Sequence, residues 1–362
     1  MKTRIAALFI AVFCGVASGM ACSSLIASGK ATVSGRPILW KHRDTSAKNN
    51  YLYRVEADSL AGRKYGYVGL FNGADSLVLD EAWMGMNDAG FAIMNTVAYN
   101  LPENDPEWID REGYVMALAL GTCSTVDDFA ELLDNLPRPM GVRTDFGVID
   151  ASGNGAYFET DDLGYTRFNL ADAPGGVMIR TNYAYSGEPD KGLGYIRHDN
   201  VEAILAAEIA TGSITPASLT DGVSRSFHNS LMGYDALAIG DTWTVDQDFV
   251  PRHSSTASIA IEGILPGETP DRIMMWANVA YPPCSHTVAV TLTEIPFEVG
   301  PNSALGAYSP AGLEASERMK AVFPVQRGNG QKYINLDVLR PILEEEYSIS
   351  LANYAKAAAN RR

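Results

Sequence analysis

Short apolar runs separated by turn-forming residues recur along the chain and predict β-strands. The first two runs, at 24–27 and 38–40, lie on either side of a turn at 34–37. A second hairpin is predicted to turn at Asn-Asp-Ala-Gly (87–90), and a third at Ala-Ser-Gly-Asn-Gly (151–155). The remaining predicted strands are 146–150, 156–159, 177–180, 258–264, 273–279 and 287–292.

Apolar residues at helical spacing predict helices at 114–120, 126–133 and 201–209. Ser124 and Thr125 are candidate caps for the second of these helices. A terminal helix is predicted at 341–359, with its proline in the first turn, where a missing N–H is tolerated. The order of strands, helices, strands and helix is typical of an α+β layered protein. The sequence shows no internal repeat, low-complexity tract or linker, which favours a single domain.

The amino terminus has the features of a secretory signal peptide. Lys2 and Arg4 precede an apolar run at 5–16, and small residues at 17–21 predict cleavage after Ala21. The run is short for a membrane-spanning helix, although a retained anchor is the alternative. We therefore expect a secreted or periplasmic protein without an integral membrane segment in the mature chain. Residues 1–21 would be the signal peptide, and residues 22–362 a single domain with a C-terminal helical segment from about 303 to 362.

Composition restricts the classes of partner. The 362 residues include 28 Lys and Arg against 43 Asp and Glu, which gives a formal net charge of −15. Because phosphate binding needs a clustered cationic surface, this balance argues against nucleic acid as a partner. The hydrophobic fraction of 46% is that of an ordinary folded protein rather than a disordered or fibrous one.

Cleavage after Ala21 would make Cys22 the first residue of the mature chain. Its thiol would then lie beside a free α-amino group, whose ordinary pKa of about 7.7–8.0 is close to the thiol value of about 8.5. The amine can take the thiol proton and later return it, so that nucleophile and base lie in one residue. A side chain activated by the terminal amine is a known route to covalent amide cleavage.

Other roles for Cys22 stay open at this point. A bacterial lipoprotein also begins at a cysteine after its signal peptide, although Gly19 stands where Leu or a similar residue is usual. A disulfide with Cys123 or Cys284, or an inert buried thiol, is also compatible with the sequence. Because Cys14 would leave with the signal peptide, three cysteines remain. This odd number is compatible with a free Cys22 and a Cys123–Cys284 bridge.

The second predicted strand runs into a charged cluster, Lys41-His42-Arg43-Asp44. A chain that folds back as a hairpin brings Lys41 and Asp44 near Cys22. The carboxylate could then hold the α-ammonium, and the cation could stabilise the thiolate. Without such a partner, the same cluster is typical of a solvated strand end.

The segment from Cys22 to Asp44 resembles the start of the cysteine N-terminal-nucleophile (Ntn) hydrolases. This group includes choloylglycine (bile salt) hydrolases, penicillin V acylases, acyl-coenzyme A:isopenicillin N acyltransferases and, more distantly, secreted dipeptidases. Its members carry a Cys-Ser or Cys-Thr start and, after a glycine-containing hairpin, Arg-x-x-Asp. Here Lys41 stands in place of the arginine, and it keeps the charge but loses the planar fork. Arg43, two residues further on, is the alternative for that role.

Three more residues take roles that this resemblance implies. The segment 83–96 resembles the family's Gly-x-Asn-Glu-x-Gly-Leu segment, in which an asparagine on the second strand supplies the oxyanion-hole donor. By position this donor is Asn95, while Asn87 is expected to be a turn residue. Asn182 follows a predicted strand and Arg197 opens a helix, and both are expected to complete the polar network around the cysteine. A loop cap and a surface ion pair, respectively, are the alternatives for these two residues.

The resemblance implies the αββα fold, in which two antiparallel sheets are sandwiched between helical layers. It also implies hydrolysis of a linear amide, a C–N bond other than a peptide bond, through an acyl-thioester on Cys22. Asp44 would orient the α-amine, and Asn95 together with the backbone beside the cysteine would bind the oxyanion. The expected site consists of Cys22, Lys41, Asp44, Asn95, Asn182 and Arg197. A dipeptidase, an acyltransferase and a lipid-anchored binding protein that uses the cysteine only for attachment are the alternatives.

The five histidines are scattered, and no metal-binding or dinucleotide-binding motif is present, so we expect neither a metal nor a cofactor. A Cys-His dyad using His228 or His253 is a further alternative. The expected partner is a small amide-containing substrate, whose acyl pocket would be built from loops such as 99–108 and 183–191. Formation of a homo-oligomer stays open.

Overall fold

The computed structural model describes residues 21–102 and 109–360. Residues 1–20 lie outside this part, so the signal peptide stays a prediction. The strands are β1 (Ser23–Ala27), β2 (Ile38–Asp44), β3 (Tyr51–Val55), β4 (Tyr67–Phe71), β5 (Met84–Asn87), β6 (Ala92–Val97), β7 (Thr144–Ile149), β8 (Gly155–Thr160), β9 (Tyr165–Asn169), β10 (Val177–Arg180), β11 (His228–Asn229), β12 (Tyr234–Asp235), β13 (Trp243–Val245), β14 (Ser255–Glu262), β15 (Met274–Asn278), β16 (Val288–Val290), β17 (Val325–Gln326) and β18 (Lys332–Asn335). The helices are α1 (Glu112–Thr122), α2 (Val126–Asn135), α3 (Tyr195–Thr211), α4 (Pro310–Val322) and α5 (Leu336–Asn360).

Two large antiparallel sheets form the centre of the molecule. One has six strands in the order β10-β1-β2-β14-β15-β16, and the other has seven strands in the order β3 to β9. Strands β1 and β2 lie against β6 and β7, and Ile26, Leu39 and Met94 share one apolar core between the sheets. A Cβ atom at Gly147 would lie 2.3 Å from Met94 Cε and 3.2 Å from Ile26 Cδ1, so the absence of a side chain allows the sheets to approach closely.

Helices cover the outer faces of both sheets. Helix α1 packs on β4, β5 and β6, and the Phe129 ring of α2 meets the rings of Phe146 and Phe158 edge-on. On the other side, Leu205 of α3 and Ala357 of α5 share a core with Trp40 of the six-stranded sheet. Two antiparallel sheets between two helical layers form the αββα sandwich, so the fold expected from the resemblance is confirmed.

The boundaries of the carboxy-terminal segment differ from the prediction. Helix α5 begins at Leu336, so Pro341 lies inside the helix rather than in its first turn. The Asn335 side chain accepts a hydrogen bond from Val338 N and caps the earlier start. The segment from 303 is also not purely helical, because β17 and β18 pair with each other and β18 pairs with β13.

Cys123 and Cys284 do not form the disulfide that the sequence left open. Cys123 and Cys284 are both free and buried, and they lie in separate apolar cores. Burial raises the pKa of each thiol to about 12, so both stay protonated at neutral pH and pack as small apolar side chains. No helix in the described ranges is both long and apolar enough to span a membrane.

Candidate active site

Cys22 lies immediately before β1, at the end of the six-stranded sheet where β1 and β2 run side by side. Antiparallel pairing sets Ser23 opposite His42 and Ser24 opposite Lys41, which brings Cys22 next to the end of β2. Its thiol is 4.0 Å from the backbone oxygen of Asp44, and the residue is 5% exposed. The hairpin therefore brings the cysteine and the charged cluster together, as the sequence predicts.

Alternation along β2 sends the four charged residues to two faces of the sheet. Leu39, two residues before Lys41, packs between the sheets, while Trp40 packs against the outer helical layer. Lys41 and Arg43 therefore extend to the inner face, and His42 and Asp44 to the outer face. The site thus has two halves that meet at the start of β1.

On the inner face, Lys41 begins a buried chain of polar groups. Its Nζ donates to Trp83 O at 3.0 Å and to Asn95 Oδ1 at 2.5 Å. Asn95 Nδ2 in turn donates to Glu112 Oε2 at 2.5 Å and to Thr144 Oγ1 at 3.4 Å. Burial lowers the pKa of Lys41 to about 8 and raises the pKa of Glu112 to about 8. The Asn95 amide thus joins a cation to a carboxyl group, and the shorter of the two bonds that its Nδ2 donates goes to the carboxyl.

Arg43 occupies a different position from Lys41. Its Nη1 donates to Asn50 Oδ1 at 2.7 Å and its Nη2 to Asn72 Oδ1 at 2.9 Å, while the guanidinium lies 4.9 Å from the centroid of the Trp83 ring. Burial lowers the pKa of Arg43 to about 10, and the nearby Cys22 opposes that shift. Of the two cations, Lys41 is therefore the one that reaches Asn95.

On the outer face, Asp44 is held at both carboxylate oxygens. Arg252 donates to Oδ2 through Nε at 3.1 Å and through Nη2 at 2.6 Å, and Ser255 Oγ donates to Oδ1 at 2.6 Å. The same Arg252 Nη2 lies 3.3 Å from Ala21 O, the carbonyl bonded to the Cys22 nitrogen. The Asp44 carboxylate and the carbonyl that precedes Cys22 therefore share one guanidinium.

Arg197 joins the start of β1 to the loop after β10. Its Nη1 donates to Cys22 O at 2.6 Å and to Ser23 Oγ at 2.9 Å, and its Nη2 donates to Asn182 Oδ1 at 2.7 Å. Asn182 Nδ2 donates to Val97 O at 2.8 Å. A Cβ atom at Gly194 would lie 2.3 Å from Arg197 Nη2, so a glycine here makes room for the guanidinium. Arg197 is 3% exposed and is not a surface ion pair.

Three buried cations near Cys22 have no carboxylate bonded to them among the residues that the structure describes. In the described part of the chain, the hydrogen bonds of Lys41, Arg43 and Arg197 go to carbonyl, amide and hydroxyl oxygens, all of them neutral. A negative charge on Cys22 acts to raise the pKa of each of the three. Since buried cations are costly without a counter-charge, three of them in this position suit an anion that forms during a reaction at Cys22.

The site also contains residues that the sequence did not indicate. Arg252 and Ser255 hold Asp44, Glu112 binds Asn95, and Tyr99 is close enough for Cys22 to contribute to raising its pKa, to about 12, although burial is the main cause. Only Glu112 carries a local signal, as the first residue of α1. No hydrogen bond links Cys22 to a histidine within 21–102 and 109–360, so the geometry gives a Cys-His dyad no support.

A possible cation-binding cluster and a cavity lie away from the thiol. His198, Asp199 and Glu202 can bring ligand atoms within 4.8 Å of one another on the partly exposed start of α3. A cavity of about 470 Å³ between β9, β10 and α3 is lined by Tyr185 and His198 but not by Cys22. Of the loops predicted to form the acyl pocket, 183–191 contributes Tyr185 to this cavity, and 103–108 lies outside the described residues.

Comparison with known proteins gave structural neighbours only. No protein-family model and no curated protein matches the sequence. Conjugated bile acid hydrolase from Clostridium perfringens aligns at 13% identity with a TM-score of 0.45, over 76% of this chain and 93% of that chain. The Caenorhabditis elegans ortholog of N-acylethanolamine-hydrolyzing acid amidase aligns at 13% identity and 0.44, over 68% and 94%. Penicillin V acylase from Agrobacterium tumefaciens aligns at 14% and 0.42, over 76% and 87%.

Proposed function

We propose that the chain is an acylase-type amide hydrolase that uses Cys22 as its nucleophile. The observation that carries the proposal is that buried Lys41, Arg43 and Arg197 lie close enough to Cys22 to interact with it electrostatically. Beside them, Arg252 donates both to the Asp44 carboxylate and to the carbonyl bonded to the Cys22 nitrogen. This arrangement provides stabilisation for a thiolate and a partner for an α-ammonium. The substrate would be a linear amide whose C–N bond is not a peptide bond.

The reaction begins once the peptide bond between Ala21 and Cys22 has been cut. The free α-amine takes the thiol proton, and the thiolate attacks the amide carbonyl carbon to form a C–S bond. The C–N bond then breaks, and the α-ammonium returns the proton to the leaving amine. In the second half, the amine takes a proton from water, and the hydroxide attacks the carbonyl carbon of the thioester. The C–S bond breaks, the α-ammonium returns its proton to the thiolate, and the carboxylic acid leaves.

Each site residue has a role in this scheme. Asp44 holds the α-ammonium, and the three buried cations stabilise the thiolate and the network around it. Asn95 and the backbone beside Cys22 bind the oxyanion of the tetrahedral intermediate. The Asn95 hydrogen that faces Thr144 Oγ1 at 3.4 Å makes the weaker of its two bonds, so it is the hydrogen available to an oxyanion.

We also propose that the protein is exported and then cleaved near its amino terminus. Export to the periplasm or the medium, with cleavage after Ala21, would produce the free amine that the mechanism needs. Residues 22–362 would then act as one catalytic domain. With Ala21 attached, Cys22 is 5% exposed, and cleavage would remove the residues that precede it.

Intact mass and N-terminal sequencing of the exported protein form the first part of the test. A terminus at Cys22 with unmodified mass is expected. A diacylglyceryl adduct on that cysteine, or a terminus elsewhere, would contradict the nucleophile role and support a lipid-anchored protein instead.

Turnover of penicillin V, glycocholate, N-acyl amino acids and dipeptides forms the second part. Cys22→Ala should abolish hydrolysis of whichever compound is cleaved, whereas Cys123→Ala, which alters a buried thiol in another core, should keep kcat within about twofold. Selective cleavage of dipeptides, or acyl transfer to an added amine, would instead indicate a dipeptidase or an acyltransferase. Activity of Cys22→Ala equal to wild type would end the proposal.

A further inference from the structure

Ser255 connects Asp44 to a buried histidine through a single hydroxyl. Its Oγ lies 2.6 Å from Asp44 Oδ1 and 2.7 Å from His42 Nε2, and it accepts a hydrogen bond from Arg252 N at 2.9 Å. Ser255, His42 and Asp44 are each at most 1% exposed. None of the bonds that join them faces bulk water.

Counting hydrogens fixes the direction of these bonds. An ionised carboxylate only accepts, so the one hydrogen of the Ser255 hydroxyl goes to Asp44. The hydroxyl oxygen then accepts from Arg252 N and from His42, which requires the imidazole to carry its hydrogen on Nε2. His42 Nδ1 is buried and has no partner in the described chain, as expected for the bare nitrogen of that tautomer. Burial also lowers the pKa of His42 to about 4, which keeps the ring neutral.

The opposite tautomer would disturb Asp44. If His42 carried its hydrogen on Nδ1, the bare Nε2 would compete with the carboxylate for the Ser255 hydrogen. Asp44 Oδ1 would then lose its donor, and only Arg252 would hold the side chain, through Oδ2. The tautomer of His42 therefore determines whether both carboxylate oxygens are fixed.

We propose that Ser255 and His42 are positioning residues that fix the Asp44 carboxylate for its interaction with the Cys22 α-amine. The inference rests on the proposed function, since the group that Asp44 serves is the α-amine released by cleavage after Ala21. Ser255 contacts Asp44 directly, and His42 acts through Ser255 by supplying the Nε2 hydrogen. Neither residue contacts the reacting atoms.

The electrostatic surroundings of Asp44 determine what a looser carboxylate would change. The ionisable groups that interact with it come from several elements: His42 on β2, Lys48 after β2, Arg197 on α3, Asp246 after β13, Arg252 before β14 and Tyr281 after β15. Because a carboxylate raises the pKa of a nearby amine, loosening Asp44 should lower the pKa of the α-amine. The amine must be neutral to act as base, so the acidic limb of the pH profile should move to lower pH.

The test compares variants of the exported protein that begin at Cys22. Ser255→Ala should lower kcat by about 10- to 100-fold with little change in KM, and should move the acidic limb of kcat/KM to lower pH. Ser254→Ala, which alters the neighbouring serine, is the matched control and should behave as wild type. The pH profile of Cys22 alkylation by iodoacetamide provides the same comparison without a substrate.

His42 supplies a second and separate comparison. His42→Gln keeps an N–H donor and should retain most of kcat, whereas His42→Phe removes the donor and should reproduce the loss seen in Ser255→Ala. If circular dichroism shows that Ser255→Ala does not fold, the two His42 variants test the positioning role in its place. Wild-type kcat and pH profile in a folded Ser255→Ala or His42→Phe protein would overturn the inference. If Cys22→Ala is inactive in the same assays, the proposed function would still stand.

Discussion

Lys41 is the residue at which the charge of the site can be tested most directly. Lys41→Met keeps the length of the side chain but removes the ammonium that bonds Trp83 O and Asn95 Oδ1. We expect kcat/KM to fall by about 10²-fold or more, the scale for removal of one preorganised donor, because a thiolate or oxyanion at Cys22 loses a nearby cation. Iodoacetamide alkylation of the cysteine at pH 7 should slow in parallel.

A lysine outside the site provides the control for this prediction. Lys30 lies exposed near the β1–β2 turn, and Lys30→Met should leave both alkylation and turnover at wild-type rates. An alkylation rate in Lys41→Met equal to that of wild type would show that the cation does not act on the thiol.

Single residues were predictable where local pairing brings them together. Cys22, Lys41 and Asp44 belong to one hairpin, so their proximity follows from a turn and a register that the sequence shows. Arg252 and Ser255 lie 208 and 211 residues after Asp44, and nothing in their local sequence distinguishes them from surface residues of a loop. Their role arises from the pairing of β14 with β2, which is a tertiary event.

Asn87 shows how one side chain joins two elements. Its Oδ1 accepts from Ala89 N and Phe91 N within the β5–β6 turn, and its Nδ2 donates to Leu120 O and Cys123 O, each at 2.8 Å, at the end of α1. Asn87→Asp would turn an acceptor oxygen toward two carbonyls, so we expect a loss of about 2–4 kcal/mol in the free energy of unfolding. Urea denaturation measures this change.

An asparagine in an exposed turn is the comparison for Asn87. Asn329→Asp, between β17 and β18, should change the free energy of unfolding by no more than about 0.5 kcal/mol. Equal effects of the two substitutions would mean that the link from the turn to α1 contributes nothing to stability.

Elements with a strong local pattern were predicted well, and those that depend on contacts were not. Helix α2 has the predicted cap, since Thr125 Oγ1 accepts from Asp128 N and the Asp128 carboxylate accepts from Thr125 N. The sequence also indicated a turn at Asn87, but not its bonds to α1. The start of α5 was placed too late because a proline is common in the first turn, whereas here the cap at Asn335 begins the helix earlier.

Across the whole molecule, buried ionisable groups have opposite effects on how the free energy of unfolding changes with pH below neutrality. Burial raises the pKa of Glu112 to about 8 and the pKa of Asp246 to about 6, so the folded state holds protons that the unfolded chain releases. Burial lowers the pKa of His42 and of His253 to about 4, which has the reverse effect between pH 4 and 6.5. The two contributions to the pH dependence of stability therefore partly cancel in that range.

Above pH 6.5 His42 and His253 no longer oppose the buried carboxyl groups. The unfolded histidines are then neutral, while folded Glu112 still holds its proton and His286, whose pKa is raised by its hydrogen bond to Glu346, still holds part of its own. The folded state binds more protons than the unfolded chain, so the free energy of unfolding should fall as pH rises from 6.5. The fall should level off near pH 8, because burial lowers the pKa of Lys41 to about 8 and the folded protein then releases a proton that the unfolded lysine keeps. Each such proton contributes a slope of at most about 1.4 kcal/mol per pH unit.

Glu112→Gln separates the contribution of this carboxyl from the rest. The glutamine can still accept from Asn95 Nδ2 but cannot ionise, so the fall between pH 6.5 and 8 should become shallower in urea denaturation. Glu344→Gln, on the exposed face of α5, should leave the slope unchanged. If the curves for Glu112→Gln and wild type run parallel, the carboxyl does not keep its proton in the folded protein. The Lys41–Asn95–Glu112 chain would then be an ion pair bridged by an amide, and the inner half of the site would carry one positive charge fewer in total.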